Sequence, residues 1–416
     1  MPQGSVLGPL FLIYINDITE NIDSEIKLFA DDTSLFITID KNEKDITEQL
    51  NRDLEKISHW AKTWLVSFNP IKTKSLFVTL KKPRNHPDLL FDGHLLETVE
   101  SHKHLGITFN STLSWKHHIE NIASVANKKV SLLTRLKHIL DRKTLLIMYT
   151  SFVRPSLEYA NVLWNNCTDG ESDQLESIQR RAVRIITGGI IRSPTNLLYE
   201  EIGIETLKKR REKNIVLFFH KIIHNNAPSY LLEFKPIPNP HRVNLRSANN
   251  LTTPRCRLVK YQESFLPQAI NSWNKLNNSL KETVNYKLFK ALLEKDSPKV
   301  NPLFYLGDRK ENIIMARLRM NCNDLKGHLA QLNIIENSVC ECGYPFEDSL
   351  HYFFICPIYQ VPRAALHNLI SNIAPFTLQT ILYGRENLNY NSNQLIYNGT
   401  LRYIKETNRF DEKNKI

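Results

Sequence analysis

The chain has 416 residues, of which 54 are Lys or Arg and 43 are Asp or Glu, so its formal net charge is +11. Its 42% hydrophobic and 23% charged residues exclude collagen-like, low-complexity and wholly disordered chains, and its length predicts two or three domains of ordinary size. The cationic excess favours a polyanionic partner, because clustered Lys and Arg bind phosphates by displacing counterions. The longest apolar run, 6–15, is interrupted by Gly8 and Pro9, so we expect neither a membrane span nor a signal peptide.

The first forty residues predict a helix followed by a tight hairpin. An amphipathic helix begins around residues 5–8, at the start of an apolar stretch. Two short apolar runs, 26–30 and 34–39, then flank a short segment that contains Asp31 and Asp32. Runs separated by so few residues are typical of a β-hairpin, so we expect both aspartates at its tip.

The next segment predicts another helix and two strands. Apolar residues recur every three or four positions over 46–64, which indicates one buried helix face, and the Asn-Pro pair at 69–70 should end that helix. Strands are predicted at 75–80 and 104–109, followed by a turn at 110–112. This order fits an α/β or α+β sheet domain, and we predict the α+β class with an antiparallel sheet.

The rest of the chain is predicted to be mostly helical. Helical spacing of apolar residues begins near Trp115, and it returns at 265–276 and 286–293. Between these parts, residues 236–257 are rich in Pro, Asn, Arg and Ser, which indicates a linker or an extended loop. We therefore predict domains at 1–114, 115–235 and 258–416, joined by the linker.

The two adjacent aspartates permit two interpretations. Neighbouring carboxylates repel one another unless a cation lies between them, and hard divalent ions such as Mg²⁺ prefer oxygen ligands. A pair of such ions can stabilise the attacking and the leaving oxygen of a phosphoryl transfer. Asp is also favoured in tight turns for its backbone conformation alone. Asp31 and Asp32 by themselves leave both a metal site and an ordinary turn open.

Several ordered segments resemble the palm of reverse transcriptases from jockey-type non-LTR retrotransposons. Residues 2–10 read PQGSVLGPL and are followed by YIND, and residues 28–33 read LFADDT, with Phe29 where the family often has Tyr. The segments NPIKT at 69–73 and HLGI at 104–107 extend the similarity. The resemblance implies an RNA-directed DNA polymerase, which transfers nucleotides from dNTPs to a DNA primer on an RNA template.

The resemblance also implies roles for individual residues. Asp31 and Asp32 would hold catalytic Mg²⁺, and Lys72 would approach the departing pyrophosphate, although a lysine after a helix end is otherwise simply solvated. The nucleic-acid contacts that it implies are Gln3 and Gly4 on the template and incoming nucleotide, and His104, Leu105 and Gly106 as the primer grip.

The family carries one further metal-binding Asp on a strand that precedes the Pro-Gln-Gly block, and this chain begins at that block. We therefore expect 1–114 to be a partial palm, 115–235 a thumb-like region, and the chain alone to be inactive. The alternative is a catalytically inactive remnant that still binds nucleic acid. A metal-dependent nuclease is disfavoured, because no further acidic and histidine ligands stand near Asp31.

A basic stretch follows the predicted palm. Residues 128–154 hold seven Lys or Arg and the single acid Asp141, and the region resembles the one that follows the palm in these elements. An ordinary solvated helix face is the alternative. Val183 and Ile186 should face the core. The candidate contacts with the nucleic-acid backbone are Lys128, Lys129, Arg135, Arg180, Arg181 and Arg184.

A cluster of metal-binding residue types lies near the end of the chain. Cys340 and Cys342 are followed by Gly343, then by His351 and Cys356, which is a set suited to a structural Zn²⁺ in a small knuckle. Buried free cysteines are the alternative. Similar clusters occur in jockey-like elements, and TNRF at 407–410 extends the resemblance across nearly the whole chain. The implied partners are an RNA template, a DNA primer, dNTPs, the element's own RNA and another nucleic-acid-binding protein, with no membrane.

Overall fold

The computed structural model describes residues 7–39, 43–81, 86–236 and 250–411. The chain divides into two compact units, the first unit at 1–118 and the second unit at 119–416. Within the described ranges both helices and small sheets are present, so the predicted mixed helix-and-sheet class is confirmed. None of the helices in these ranges combines the length and the apolar character needed to span a bilayer.

The first unit combines two helices with short paired strands. Its described strands pair two by two: β1 with β2, β4 with β5 and β7 with β8 are antiparallel, and β3 with β6 is parallel. Apolar side chains of both helices and of the β4 region form its core, among them Ile15, Ile57 and Phe91. The elements are α1 (Leu7–Asn16), β1 (Glu25–Phe29), β2 (Asp32–Phe36), α2 (Glu43–Thr63), β3 (Lys74–Ser75), β4 (Leu90–Phe91), β5 (His94–Leu95), β6 (Glu97–Thr98), β7 (Ser101–His104) and β8 (Ile107–Asn110).

Two boundaries in this unit differ from the prediction. Helix α2 ends at Thr63, before the Asn-Pro pair, because Leu65 adopts a left-handed φ of 55° and Val66 N–H donates to Ala61 O at 2.9 Å. That 6→1 bond is the Schellman way of ending a helix. The strand predicted at 75–80 is shorter, since within the described ranges the ladder of this segment comprises Lys74 and Ser75 alone. β propensity expresses pairing and packing context, which a single segment does not contain.

The second unit is helical. Helix α3 begins at the end of the first unit and continues into the second, which confirms the predicted change to helical periodicity. Two single π-turns, Tyr149–Val153 and His351–Ile355, extend the helical path. The helices are α3 (Lys116–Leu136), α4 (Arg142–Met148), α5 (Arg154–Glu158), α6 (Asp169–Thr187), α7 (Thr195–Ile202), α8 (Leu207–Ile223), α9 (Ser229–Leu232), α10 (Val259–Gln262), α11 (Phe265–Asn274), α12 (Asn278–Lys281), α13 (Tyr286–Leu293), α14 (Arg309–Arg319), α15 (Lys326–Gln331), α16 (Gln360–Ser371), α17 (Leu378–Tyr383) and α18 (Tyr390–Thr407).

Helices from both sides of the predicted linker pack together in this unit. Buried Glu201 of α7 pairs with Arg142 of α4 at 2.7 Å and with Arg319 of α14, whose Nε donates to Oε2 at 2.9 Å. Burial acts to raise the pKa of Glu201, but the two guanidinium groups outweigh burial and hold its pKa below the usual value. Arg319 also stacks on Phe304, 3.7 Å from the ring centre. A single buried carboxylate therefore serves as the shared ion-pair partner of two buried cations on separate helices.

We expect Glu201→Gln to lower the free energy of unfolding by about 3–5 kcal/mol, because it leaves two buried guanidinium groups without a counterion. Urea unfolding followed by circular dichroism measures the change. Glu200→Gln is the matched control: the neighbouring carboxylate is exposed, so its loss should change stability by less than about 0.5 kcal/mol. Equal stability of the two variants would show that the buried network contributes nothing net.

Candidate functional site

The two aspartates lie where the chain reverses between β1 and β2. Phe29 pairs with Asp32 across the hairpin, which leaves Ala30 and Asp31 as a two-residue turn. Ala30 takes a left-handed φ of 52°, as the tight turns of hairpins require at a central position. The predicted hairpin is thus confirmed with Asp31 at its tip, while Asp32 is the first residue of β2 rather than part of the loop.

The carboxylates of Asp31 and Asp32 are open to a ligand. Both side chains are exposed, and within the described residues neither has a hydrogen-bonding partner or an ion pair. Two adjacent carboxylates without a cation form the kind of oxygen-donor set that a hard divalent ion binds. Carboxylates are among the oxygen ligands that Mg²⁺ accepts, and Mg²⁺ is the ion that reverse transcriptases generally use.

A second hairpin carries the predicted primer grip. β7 and β8 are joined by Leu105 and Gly106, whose φ values of 47° and 84° are both left-handed. The predicted strand at 104–109 therefore begins only at Ile107, because the turn occupies the preceding positions. His104 closes the hairpin by pairing with Ile107, and its Nε2 lies 3.3 Å from Ser34 Oγ of β2. The structure thus brings the two hairpins together through Ser34, which sequence reasoning did not single out.

Of the other predicted polymerase residues, Lys72 lies within the described ranges and two lie outside them. Lys72 lies in the turn that follows α2, where its backbone N–H donates to Asn69 O and Oδ1 at 3.1 and 3.2 Å. Its exposed Nζ has no partner within the described ranges. Gln3 and Gly4 fall outside the described residues.

The cations of the predicted basic stretch at 128–154 differ in their surroundings: some are exposed, and others make contacts inside the protein. Lys128 and Arg135 are exposed. Lys129 instead folds back, donating from Nζ to Phe152 O at 2.9 Å and to Ser156 Oγ at 2.7 Å. Arg142, counted in the same basic stretch, is buried in the network with Glu201. Lys128 and Arg135 are therefore free to contact a phosphate or simply to face solvent, whereas Lys129 supports packing within the protein.

Helix α6 begins at a capping box formed by Thr168 and Glu171. Val183 and Ile186 are fully buried, as predicted. Of the three candidate arginines on the helix, Arg180 pairs with Asp173 at 2.9 Å. Arg181 is exposed and donates to Asn127 O at 3.3 Å, and Arg184 is half-buried with no hydrogen-bond acceptor for its Nε in the described ranges.

The four predicted metal ligands converge. The Sγ atoms of Cys340 and Cys356 are 3.8 Å apart, and Cys342 Sγ is 3.4 Å from His351 Nε2; all four ligand atoms lie within 4.8 Å of one another. At 3.8 Å the sulfurs of Cys340 and Cys356 are not bonded to each other, since a disulfide bond is about 2.0 Å long. With metal–sulfur and metal–nitrogen bonds of about 2.3 and 2.0 Å, a tetrahedral Zn²⁺ site has sulfur–sulfur edges of about 3.8 Å and sulfur–nitrogen edges of about 3.5 Å. The donor set and its spacing therefore fit Zn²⁺.

The backbone of the cluster explains its spacing. Gly343 takes a φ of 88°, which turns the chain between the first cysteine pair and Tyr344, and Tyr344 stacks on the His351 ring at 4.3 Å. Burial lowers the pKa of His351, which favours the neutral imidazole that metals bind. Burial also raises the pKa of Cys340 to about 12, so a metal has to displace the proton of this thiol.

Buried Glu347 ties this loop to the end of the chain. Its carboxylate accepts from Arg409 Nε at 2.7 Å and Nη2 at 2.6 Å, and it lies 4.0 Å from Cys340 Sγ. Phe410 packs on Tyr352, with ring centres 5.4 Å apart. The TNRF segment therefore anchors the cluster within the core of the second unit, a role that the sequence pattern did not show.

Comparison with known proteins agrees with the geometry of the first unit. Residues 1–109 match the family described as reverse transcriptase (RNA-dependent DNA polymerase). The chain is 26% identical to the probable RNA-directed DNA polymerase from transposon X-element of Drosophila melanogaster, over 64% of this chain and 30% of that protein. It is 29% identical to the RNA-directed DNA polymerase from mobile element jockey of the same organism, over 65% of this chain and 30% of that protein.

A third relative, the RNA-directed DNA polymerase from mobile element jockey of Drosophila funebris, is 27% identical over 45% of this chain and 22% of its own length. The chain therefore spans less than a third of the length of these relatives. The resemblance to reverse transcriptases of jockey-type elements, drawn from the segments around Gly4 and Asp31, is confirmed.

Proposed function

We propose that this chain, a relative of the jockey-type reverse transcriptases, is part of an RNA-directed DNA polymerase that extends a DNA primer on an RNA template with dNTPs. The observation that carries the proposal is the pair of open carboxylates at the β1–β2 turn, inside the region that matches the reverse transcriptase family. An ordinary turn explains one Asp at the tip, but it does not explain the neighbouring hairpin held against β2 through His104.

The residues of the proposed site divide into four groups, each with its own task. Asp31 and Asp32 would hold Mg²⁺, which when bound would supply positive charge beside the reacting phosphate. Lys72 donates a proton or a hydrogen bond to the departing pyrophosphate from its exposed Nζ. The primer end rests on the turn of His104, Leu105 and Gly106. The resemblance assigns contact with the template and the incoming nucleotide to Gln3 and Gly4, which lie outside the described residues.

Primer extension tests this function. The chain is joined to the upstream palm segment of a jockey-type relative and assayed on an RNA template with a DNA primer, Mg²⁺ and dNTPs. We expect extension by the joined protein and none by residues 1–416 alone, because the resemblance places a further metal-binding Asp upstream of the Pro-Gln-Gly block. Extension by residues 1–416 alone would show that the metal site is complete without that Asp. Absence of extension by a folded joined protein would contradict the polymerase assignment.

Nucleic-acid binding by the second unit is proposed independently of catalysis. Lys128 and Arg135 are exposed cations on α3, and together with Arg180, Arg181 and Arg184 of α6 they suit phosphates rather than base edges. Their binding should therefore be strong at low salt and show little sequence preference. Lys129 supports this surface indirectly, by holding α3 against Phe152 and Ser156.

We expect replacement of Lys128 and Arg135 by Ala to weaken binding to all duplexes alike and to flatten the plot of log K against log salt. Each lost phosphate contact should reduce the slope by about 0.9 on duplex DNA. Titrations at several salt concentrations measure this, with Arg402→Ala as the control, because Arg402 is an exposed cation that pairs with Glu406 at 2.7 Å. An unchanged slope in the double variant would show that Lys128 and Arg135 contact solvent and not phosphate.

For the Cys/His cluster we propose one structural Zn²⁺, held by Cys340, Cys342, His351 and Cys356. The 3.8 Å between Cys340 and Cys356 Sγ and the 3.4 Å between Cys342 Sγ and His351 Nε2 agree with two edges of a tetrahedral site and support this assignment. Zinc there would fix the loop that carries Glu347 and, through it, the end of the chain.

A further inference from the structure

A cleft of about 720 Å³ lies within the second unit and contains an unusual number of cations. We call it the arginine cleft. Its walls are the last turns of α6, the loop at 188–192, one face of α14, and residues near the ends of α3 and α15. Neither Asp nor Glu lines it among the described residues. The cations that line it are Lys137, Arg181, Arg184, Arg192, Arg309 and Arg317.

Three of these arginines are anchored by the protein itself. Arg309 donates to the carbonyls of Ile185 and Ile186 at the end of α6, Arg192 donates to Leu332 O at 3.0 Å, and Arg317 Nε donates to Gly188 O at 2.9 Å. Guanidinium groups at a helix C-terminus offset the partial negative charge of its last carbonyls. Arg309 therefore offsets the partial negative charge that would otherwise repel an anion from this end of α6. Arg317 caps Gly188 and also pairs with Asp324 at 2.9 Å, and Arg192 caps the end of α15 instead.

The two remaining arginines, Arg181 and Arg184, have N–H groups that a ligand can accept from. Arg184 Nε is buried and finds no acceptor among the described residues, and Arg181 makes only a long contact of 3.3 Å with Asn127 O. A buried donor without an acceptor is costly, and an anion that enters the cleft supplies one. These side chains stand one helical turn apart on α6, so both can reach a single phosphate.

Besides its cations, the cleft has an apolar surface formed by isoleucines. Ile191 is 86% exposed and Ile334 is 60% exposed, and Ile185, Ile190 and Ile313 add to the same surface. Gly188 makes the cleft possible, because a Cβ at this position would lie 2.5 Å from Ile313 and would keep α14 away from α6. A ligand that fills the cleft therefore needs an anionic group and an apolar face together.

A nucleotide has both, with a phosphate and a flat base. We propose that the arginine cleft binds an unpaired nucleotide of an RNA or DNA strand, its phosphate at Arg181 and Arg184 and its base against the isoleucines. A duplex presents phosphates outside but keeps the faces of its bases stacked inside, so it can use only the cations. The volume also lies within the range of about 300–1,000 Å³ that encloses groups of this size. This proposal rests on the proposed nucleic-acid binding of the second unit.

The test compares a fluorescein-labelled single-stranded oligouridylate with a duplex of the same length, by anisotropy titration of the full chain at several salt concentrations. We expect Arg184→Gln to weaken single-strand binding about fivefold and to flatten its salt slope by about 0.7, the value for one phosphate contact on a single strand. We expect Ile191→Ser to weaken single-strand binding about threefold with no change of slope and no effect on the duplex.

Two matched controls separate these effects from general changes of charge or fold. Lys310→Gln removes a cation from the same helix α14 that lies outside the cleft and pairs with Asp411, and Val361→Ser removes an aliphatic side chain that is 83% exposed elsewhere. Neither control should alter single-strand binding. Because Ile191 is exposed, Ile191→Ser should fold as the wild type does, which thermal unfolding verifies.

Two results would overturn the proposal, and they differ in what else they contradict. If Arg184→Gln and Ile191→Ser bind the single strand as tightly as the wild type does, the cleft is not a nucleotide site, while nucleic-acid binding through Lys128 and Arg135 still stands. If the wild type binds neither probe at low salt, both the cleft and the proposed nucleic-acid surface are wrong. A loss confined to the single strand in Ile191→Ser supports the cleft.

Discussion

Replacing Asp31 by Asn in the joined polymerase is expected to reduce the rate of primer extension at least about a thousandfold. Asn keeps the size of Asp and is equally favoured in tight turns, but it removes the negative charge and one of the two oxygens that a divalent ion binds. This substitution therefore separates the two interpretations of the hairpin tip. A residue needed only for the turn tolerates Asn, whereas a metal ligand does not.

The measurement is single-turnover extension of a labelled primer at saturating dNTP. Asp88→Asn is the matched control. Asp88 lies in the same unit and its side chain is exposed; among the described residues its backbone carbonyl accepts from Asn51 at 3.1 Å. We expect Asp88→Asn to retain the full rate. Extension by Asp31→Asn at more than about a tenth of the wild-type rate would assign Asp31 to turn formation alone.

The β1–β2 hairpin could be predicted because all of its determinants are local. Two apolar runs, a very short spacer and Asp at the reversal specify a hairpin without reference to the rest of the chain. Even here the observed turn differs from the predicted one by one residue. The sequence predicts Asp32 in the turn, but it pairs with Phe29 and belongs to β2. The end of α2 shows the limit of local signals: the Asn-Pro pair can stop a helix, but a left-handed Leu65 ends this one earlier.

The basic residues show what a sequence count leaves out. Lys128 and Lys129 are indistinguishable in sequence, yet only the first is exposed, because the second reaches Phe152 and Ser156 on another helix. Arg142 belongs to the same stretch but is buried against Glu201, 59 positions away. The arginine cleft also depends on Arg309 and Arg317, which lie more than a hundred residues after the basic segment at 128–192. Such pairings are set by tertiary packing, which the local pattern does not encode.

The metal ligands were predictable from spacing, whereas their support was not. Cys340, Cys342, His351 and Cys356 form a recognisable set in sequence, and the structure brings their ligand atoms together. The contact of Glu347 with Arg409 joins residues 62 positions apart, so it becomes visible only when the chain has folded. The identity of the metal stays a prediction, which has a direct test.

We expect purified protein to contain one tightly bound Zn²⁺ per chain, and Cys342→Ser to lose it. Cys342 is the least buried of the four ligands, so the substitution should remove a ligand with little direct damage to packing. Cys256→Ser is the matched control, because Cys256 is also half-buried and lies outside the cluster. Metal analysis after gel filtration measures both. Equal zinc in the two variants would show that the ligand assignment is wrong.

Removal of the metal from the wild type should also lower stability, and by more than the loss of the Glu201 carboxylate does. Structural Zn²⁺ in small domains contributes about 10–16 kcal/mol of apparent binding free energy at neutral pH, because the site exists only in the folded state. In this chain Cys340, His351 and Cys356 are buried beside Tyr352 and Phe353 in the core of the second unit, so losing the metal should loosen that core as well as the loop.

Thermal unfolding with and without a strong chelator measures this effect, and added Zn²⁺ should restore the transition. The Cys342→Ser variant supplies the internal check, since a protein that holds no zinc should be insensitive to chelator and should unfold at the temperature of the chelated wild type. A wild type whose transition does not move when its zinc has been removed would mean that buried packing, led by the Glu347–Arg409 pair, holds the loop without a metal. A shift in the wild type and none in Cys342→Ser would identify the cluster as the site that zinc stabilises.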